Sequence, residues 1–165
     1  DLNMALKRWL LFIVIFTISL TAILSILIYT QAREPFKEAL TSAESYTLKN
    51  NLLETIDESY VYNSTDSYQT IIGNTKDGAK KAFFIPLKAN EEPIMEVSFE
   101  EGISKEEAIS IVLDGEQESK VLHAKLGVEE VGPVWEITFV NSKDNLNYVY
   151  LLFDNGDWWK RISNL

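Results

Sequence analysis

The sequence contains no cysteine and only one histidine, His123. The absence of cysteine excludes disulfide scaffolds, thiolate metal sites and thiol nucleophiles. A single imidazole cannot supply the usual histidine ligands of a metal centre, so His123 is interpreted as a surface residue. None of the seven glycines forms a phosphate-binding loop, a dinucleotide-binding motif or a serine-hydrolase elbow. The sequence therefore predicts no catalytic residue, no cofactor and no metal site, and the protein is not expected to be an enzyme.

Basic residues are scarce after residue 29. Residues 30–165 contain 13 basic and 24 acidic residues, a formal charge of −11. Because a nucleic-acid-binding protein needs a basic surface to neutralise phosphates, no nucleic-acid partner is expected. The acidity is strongest in residues 94–165, with 6 basic and 14 acidic residues. This part is expected to avoid anionic lipids and polymers and to favour a basic patch on a protein partner.

Charge is entirely absent from residues 9–29. As a helix, these residues span roughly 31 Å, which matches a hydrocarbon core of about 30 Å. Trp9 and Tyr29 stand at the two ends, where amphipathic rings prefer the headgroup level, and Lys7 and Arg8 precede the run. A cleaved signal peptide is the alternative, but its apolar region is shorter. The sequence predicts a cytoplasmic tip (1–8), a single-pass membrane helix (9–29) and an extracellular remainder.

Hydroxylated residues recur within this run at Thr17, Thr21 and Ser25. Their spacing of four places them on one helix face, where small residues let a second membrane helix approach closely. Alternatively, each hydroxyl bonds to the carbonyl four residues earlier on its own helix. Both interpretations remain open: a membrane-helix contact face and self-satisfied hydroxyls.

The remainder predicts an α+β fold of two small units, residues 33–93 and 94–165. The first begins with a helix from Pro35 to Asn50–Asn51, and the second with a helix capped by Ser104 and Glu107. Glu91-Glu92-Pro93 is the predicted linker. Alternating patterns and the turns at Asp77-Gly78 and Asp154-Asn155-Gly156 predict antiparallel sheets, each with one face covered by its helix. The predicted strands are 58–63, 68–72, 79–87, 94–99, 121–126, 135–139, 148–153 and 157–162.

Aromatic residues are concentrated in the last two predicted strands. Trp158 and Trp159 are consecutive, so they should point to opposite faces of their strand. Together with Tyr148 and Tyr150 they are a candidate partner surface, since aromatic side chains are enriched at interfaces. The alternative is that both tryptophans pack in the core and between the two units.

Three segments carry a family resemblance. They are Glu101-Gly102-Ile103-Ser104-Lys105-Glu106-Glu107-Ala108, Val134-Trp135-Glu136-Ile137-Thr138 and Tyr150-Leu151-Leu152-Phe153-Asp154-Asn155-Gly156. Together with the basic tip and the apolar helix, they make the chain similar to the TseB-like (YpmB-like) cell wall elongation regulators of Gram-positive Bacilli, with a PepSY-like second unit. The resemblance implies two cystatin-like domains outside the membrane. It also implies a non-enzymatic role in peptidoglycan elongation through contact with a penicillin-binding transpeptidase.

A second hypothesis follows from fold analogy alone. PepSY-like and cystatin-like folds also occur in protease inhibitors and propeptides, so the chain is alternatively expected to be such a module. An enzyme using paired carboxylates is a third hypothesis, but neighbouring acids such as Glu100 and Glu101 point apart on regular elements.

Overall fold

The computed structural model describes residues 2–87, 93–114 and 118–163, without the side chains of residues 2 and 33–40. The chain divides into two compact units, Asp1–Glu38 and Ala39–Leu165. Helix α1, Leu2–Lys49, contains the segment Asn3–Ala32, which is long and apolar enough to cross a membrane. The prediction of a separate helix beginning at Pro35 is wrong, because α1 passes through that residue. Proline has a helical φ, and although it removes one backbone hydrogen bond and its ring crowds the carbonyl four residues earlier, a helix can continue through it with a kink.

Helix α1 ends where the two asparagines predicted it to end. Asn51 has a φ of 55°, the left-handed conformation that asparagine tolerates better than most residues. The N–H of Asn51 donates to the carbonyl of Leu48 at 3.1 Å, and the N–H of Leu52 donates to that of Thr47 at 2.9 Å. These two bonds form a Schellman motif, which satisfies carbonyls of the last turn.

Four strands follow in one antiparallel sheet of order β1-β2-β3-β4: β1 is Thr55–Asn63, β2 Ser67–Asn74, β3 Lys80–Pro86 and β4 Met95–Ser98. One face packs against the C-terminal end of α1, with Ala43 and Tyr46 contacting Ile71, Phe83 and Ile85. Of the predicted linker, only Pro93 belongs to the described residues.

The second half begins with a short 3-10 helix, Phe99–Glu101, and helix α2, Lys105–Leu113. The predicted capping box of α2 is present. The hydroxyl of Ser104 accepts from the N–H of Glu107 at 3.2 Å, and the Glu107 carboxylate accepts from the N–H of Ser104 at 2.8 Å. These hydrogen bonds lower the pKa of the Glu107 carboxyl below its ordinary value of 4.5.

The second sheet is also antiparallel, in the order β5-β6-β7-β8: β5 is Lys120–Glu129, β6 Gly132–Val140, β7 Leu146–Leu152 and β8 Trp158–Ile162. Ala108 and Val112 of α2 pack on one face, against Trp135, Ile137 and Phe139 among others. The predicted α+β fold, in which a helix covers one face of an antiparallel sheet, is confirmed.

Both sheets contribute to a single hydrophobic cluster. The first sheet supplies Tyr62, Tyr68, Ile72 and Phe84, and the second supplies the residues packed against α2. The face of the first sheet that points away from α1 is therefore covered by the second half of the chain. A core shared in this way favours cooperative folding of residues 39–163, since small isolated units bury too little apolar surface.

The junction between the sheets protects the outer edge of β5. The Tyr60 hydroxyl accepts from the N–H of Leu126 at 2.7 Å and donates to the carbonyl of the same residue at 3.3 Å, and Thr70 donates to that carbonyl at 2.9 Å. The Tyr68 hydroxyl bonds in the same way to the N–H and the carbonyl of Val128. Two tyrosine side chains thus replace the hydrogen bonds that a neighbouring strand would make with this edge. Burial raises the pKa of both tyrosines well above the ordinary value.

Candidate functional site

The face of the second sheet that points away from α2 carries a continuous set of half-buried apolar side chains. By cross-strand register, they are Val140 of β6, Leu146, Tyr148, Tyr150 and Leu152 of β7, and Ile162 of β8, with Trp159 packed beside them. Five polar residues of the same side complete the set: Lys120, His123, Lys125, Glu136 and Lys160. We refer to these twelve residues as the open face. Two more polar residues are on this side by register but are not counted with them, because Thr138 is buried and Glu129 is held by Tyr62 and Ser64. Its β5 end is covered by the first sheet, because the Tyr62 ring lies directly over Gly127.

Glu136 lies at the centre of the open face, with only 14% of its side chain exposed. Its carboxylate accepts from the hydroxyl of Tyr150 and lies 3.3 Å from Nε2 of His123. That imidazole nitrogen is also 2.8 Å from the hydroxyl of Thr138, which is buried. Burial, followed by the charge of Glu136, raises the pKa of Tyr150 far above its ordinary value. The group is thus a hydrogen-bonded network that fixes Tyr150 on the face.

A β-bulge determines the arrangement at β8. Register places Lys160 opposite Tyr150 and Trp158 opposite Leu151, so Trp159 is the extra residue. The rings of Trp159 and Tyr150 meet edge to face, with centroids 5.9 Å apart. The ammonium of Lys160 lies 5.7 Å from each of these two centroids, within cation–π range. The bulge thus brings two consecutive residues against the same tyrosine.

Three of the four predicted surface aromatics come together, and the fourth does not. Tyr148, Tyr150 and Trp159 lie on the open face, whereas Trp158 pairs with Leu151 on the α2 side of the sheet. Trp158 is 48% exposed at the sheet edge, and the guanidinium of Arg161 lies 5.8 Å from its ring centroid. Whether these aromatics contact a partner is still a prediction.

Sequence reasoning missed the polar members of the open face, chiefly Glu136 and Lys160. The hairpin at Asp154-Asn155-Gly156 fixes which residues of β7 and β8 pair, so it could have indicated the neighbours of Tyr150. The bulge shifts that register by one residue, which the sequence pattern does not reveal. His123 is on an edge strand with 40% of its side chain exposed, and it contacts Glu136 and Thr138.

On the apolar helix, the two threonine hydroxyls bond to their own helix. Thr17 donates to the carbonyl of Ile13, and Thr21 donates to that of Thr17, both at 2.8 Å. This is the self-satisfied arrangement weighed from the sequence, and it leaves the side of the helix bearing Thr17, Thr21 and Ser25 exposed. The membrane-helix contact face therefore stays a prediction.

The chemistry available on the open face is that of a binding surface. Aromatic rings, aliphatic side chains and ammonium groups provide apolar contact, cation–π contact and charge attraction. Over residues 2–87, 93–114 and 118–163, no group of three or more histidine, aspartate or glutamate side chains is placed to hold a metal ion. A concavity of about 280 Å³ lies beside the start of α2, and its lining includes Glu58 and Lys105, which form an ion pair of 2.5 Å.

Comparison with known proteins shows what the chain is similar to. Residues 39–86 match the family model described as the cell wall elongation regulator TseB-like domain. The chain is 27% identical over 159 residues to the probable cell wall elongation regulator TseB of Bacillus subtilis (strain 168), covering 95% of this chain and 98% of that protein. Its fold matches that of the YpmB protein from Bacillus subtilis with a TM-score of 0.63 and 23% identity, covering 74% of this chain and 95% of that chain. The chain therefore matches a TseB-like domain over residues 39–86 and is similar to TseB along nearly its whole length.

The residues that match the TseB-like family model are confined to the first half of the fold. They include the C-terminal end of α1 and strands β1, β2 and β3. The open face lies on β5 to β8, outside the matched residues. Its role must therefore be argued from its own side chains.

Proposed function

We propose that this chain is a single-pass membrane protein that regulates cell wall elongation by binding a penicillin-binding transpeptidase outside the cell. The observation that carries the proposal is the similarity to a probable cell wall elongation regulator over 95% of the chain. The apolar helix supports the membrane location, since Asn3–Ala32 is long enough to cross a bilayer. The open face supports action by protein contact, because it offers aromatic and apolar surface without a catalytic arrangement.

The proposed orientation places residues 1–8 in the cytoplasm and residues 33–165 outside. Lys7 and Arg8 at the N-terminal side of the helix favour this orientation by the positive-inside rule. Because the sequence has no cysteine, single cysteines at Ala5 and at the exposed Lys143 can be labelled selectively. In intact cells, a membrane-impermeant maleimide should label Lys143→Cys and leave Ala5→Cys unlabelled. The opposite pattern would reject the orientation.

The proposed partner is tested by crosslinking in intact membranes. A penicillin-binding protein should be recovered with the full chain, and deletion should change cell width or length. Recovery of no penicillin-binding protein, together with unchanged cell shape, would refute the proposal. Inhibition of a secreted protease by stoichiometric amounts of the purified chain would instead support the inhibitor hypothesis.

A further inference from the structure

We propose that the open face is a docking surface for an acidic segment of a partner protein. The inference deepens the proposed function and rests on it in one respect, namely that the chain acts by contact with another protein. It adds the chemistry of the contacted segment, which combines carboxylates with apolar side chains.

The first argument is the segregation of charge. Residues 94–165 contain only 6 basic residues, and three of them, Lys120, Lys125 and Lys160, share the open face. Of the 14 acidic residues in the same range, the register places two on that side of the sheet, namely Glu136 and, at the covered end, Glu129. The expectation from net charge, that this half of the chain favours a basic partner, thus does not apply to the open face. The local field there favours an acidic one.

The second argument is that the nearby carboxylates are already engaged. Glu136 accepts from Tyr150 and contacts His123. At the covered end of the face, the two carboxylate oxygens of Glu129 accept from the hydroxyls of Tyr62 at 2.9 Å and Ser64 at 2.7 Å. Lys125 is itself engaged, since its ammonium donates to the carbonyl of Val61 at 3.4 Å and lies 5.6 Å from the Tyr60 ring centroid. Because the acids are held by neighbours in the same molecule, the ammonium groups of Lys120 and Lys160 are the ones that can meet an external carboxylate.

The third argument is the positioning of apolar and cationic groups side by side. Tyr150 is held by Glu136 and by the ring of Trp159, and the ammonium of Lys160 lies over both rings. Rigid aromatic side chains next to cations lose little conformational entropy on binding, which is why such groups are enriched at binding hot spots. A polyanion without apolar groups would be repelled by the carboxylate of Glu136 and would make no favourable contact with the apolar rings between the lysines. A protein segment that alternates acidic and apolar residues complements both.

The test uses the full chain in nanodiscs of zwitterionic lipid and three fluorescent probes. They are a peptide of alternating glutamate and phenylalanine, its counterpart with lysine in place of glutamate, and polyglutamate. The acidic amphipathic peptide should bind at least about tenfold more tightly than either of the others, and its affinity should fall as salt rises. Equal binding of the acidic and basic peptides would overturn the inference.

The variants assign the binding to the open face. The double variant Lys120→Glu with Lys160→Glu should weaken binding of the acidic peptide by roughly tenfold or more, since two attractions become repulsions. Lys143→Glu, the same change at an exposed lysine in the β6–β7 turn, should leave it unchanged. Equal effects of the double variant and Lys143→Glu, with unchanged circular dichroism, would overturn the inference. Sedimentation showing a dimer that only the double variant dissociates would overturn it in favour of a second copy.

The two proposals fail separately. If a penicillin-binding protein is crosslinked equally by the wild type and by the Lys120→Glu, Lys160→Glu variant, the docking surface is wrong and the proposed function stands. If the peptide results hold but no penicillin-binding protein is captured, the docking surface stands and the proposed partner is wrong.

Discussion

Replacing Tyr60 with phenylalanine should destabilise the fold through one backbone group, the N–H of Leu126. Leu126 is fully buried, and this N–H donates to the Tyr60 hydroxyl at 2.7 Å. An unsatisfied buried donor costs about 1–3 kcal/mol. The carbonyl of Leu126 keeps its bond from Thr70, so it adds little to the cost of this substitution. The unfolding equilibrium constant should therefore rise by roughly 5- to 140-fold.

Thr70→Val provides the matched comparison. It removes one of two donors to the Leu126 carbonyl without leaving the N–H unpaired, so about 0.5–1.5 kcal/mol is expected. In the double variant, both donors to that carbonyl are lost, and the total should exceed the sum of the single effects. Denaturant unfolding of the full chain in detergent, followed by tryptophan fluorescence, to which the buried Trp135 contributes, measures these values. Hydrogen exchange should accelerate specifically at Leu126 in Tyr60→Phe. A loss below about 0.5 kcal/mol with an additive double variant would refute the role of the hydroxyl.

Three further substitutions test packing and capping. Gly127→Ala should cost about 1–3 kcal/mol in denaturation, because a Cβ there would lie 2.3 Å from the Tyr62 ring; a neutral effect would show that the ring moves freely. Trp159→Ala should cost about 1–2 kcal/mol, whereas the more exposed Trp158→Ala should cost less than about 0.5, and the reverse order would contradict the assigned faces. Ser104→Ala should cost about 1 kcal/mol at neutral pH. Because the capping carboxyl has a depressed pKa in the folded state, its contribution is present above pH 4.5 and is lost on acidification, so the difference between Ser104→Ala and wild type should shrink towards low pH.

The sequence predicted the parts of the fold that depend on nearby residues. The capping box of α2 and the asparagine end of α1 involve groups within five positions of each other, and both are present. All eight strands occur with boundaries within about three residues of those expected. Alternation also identified the α2 side of β6, since Trp135, Ile137 and Phe139 are buried there. In β5 it was wrong at the start of the strand: an irregularity between Val121 and His123 leaves Leu122 half exposed and turns Val121 towards the core.

Other features depend on contacts between distant residues or on one extra residue, and pattern analysis missed them. The hydroxyl of Tyr60 reaches Leu126, which is 66 positions away, and no local pattern indicates that a tyrosine will bond to a strand edge. The bulge at Trp158–Trp159 moves Lys160 onto the same side as Trp159, contrary to simple alternation. Net charge carries no information on how the folded chain distributes its charges, since it averages over faces that the fold separates.

The hydroxyl groups along β5 have a consequence for how the chain can be divided. A fragment that starts at residue 94 retains all of the second sheet but loses Tyr60, Tyr68 and Thr70. The outer edge of β5 would then expose unpaired backbone groups to other molecules, which promotes edge-to-edge aggregation. Residues 39–163 are therefore expected to behave as one indivisible module in expression, in truncation experiments and in evolutionary exchange between proteins.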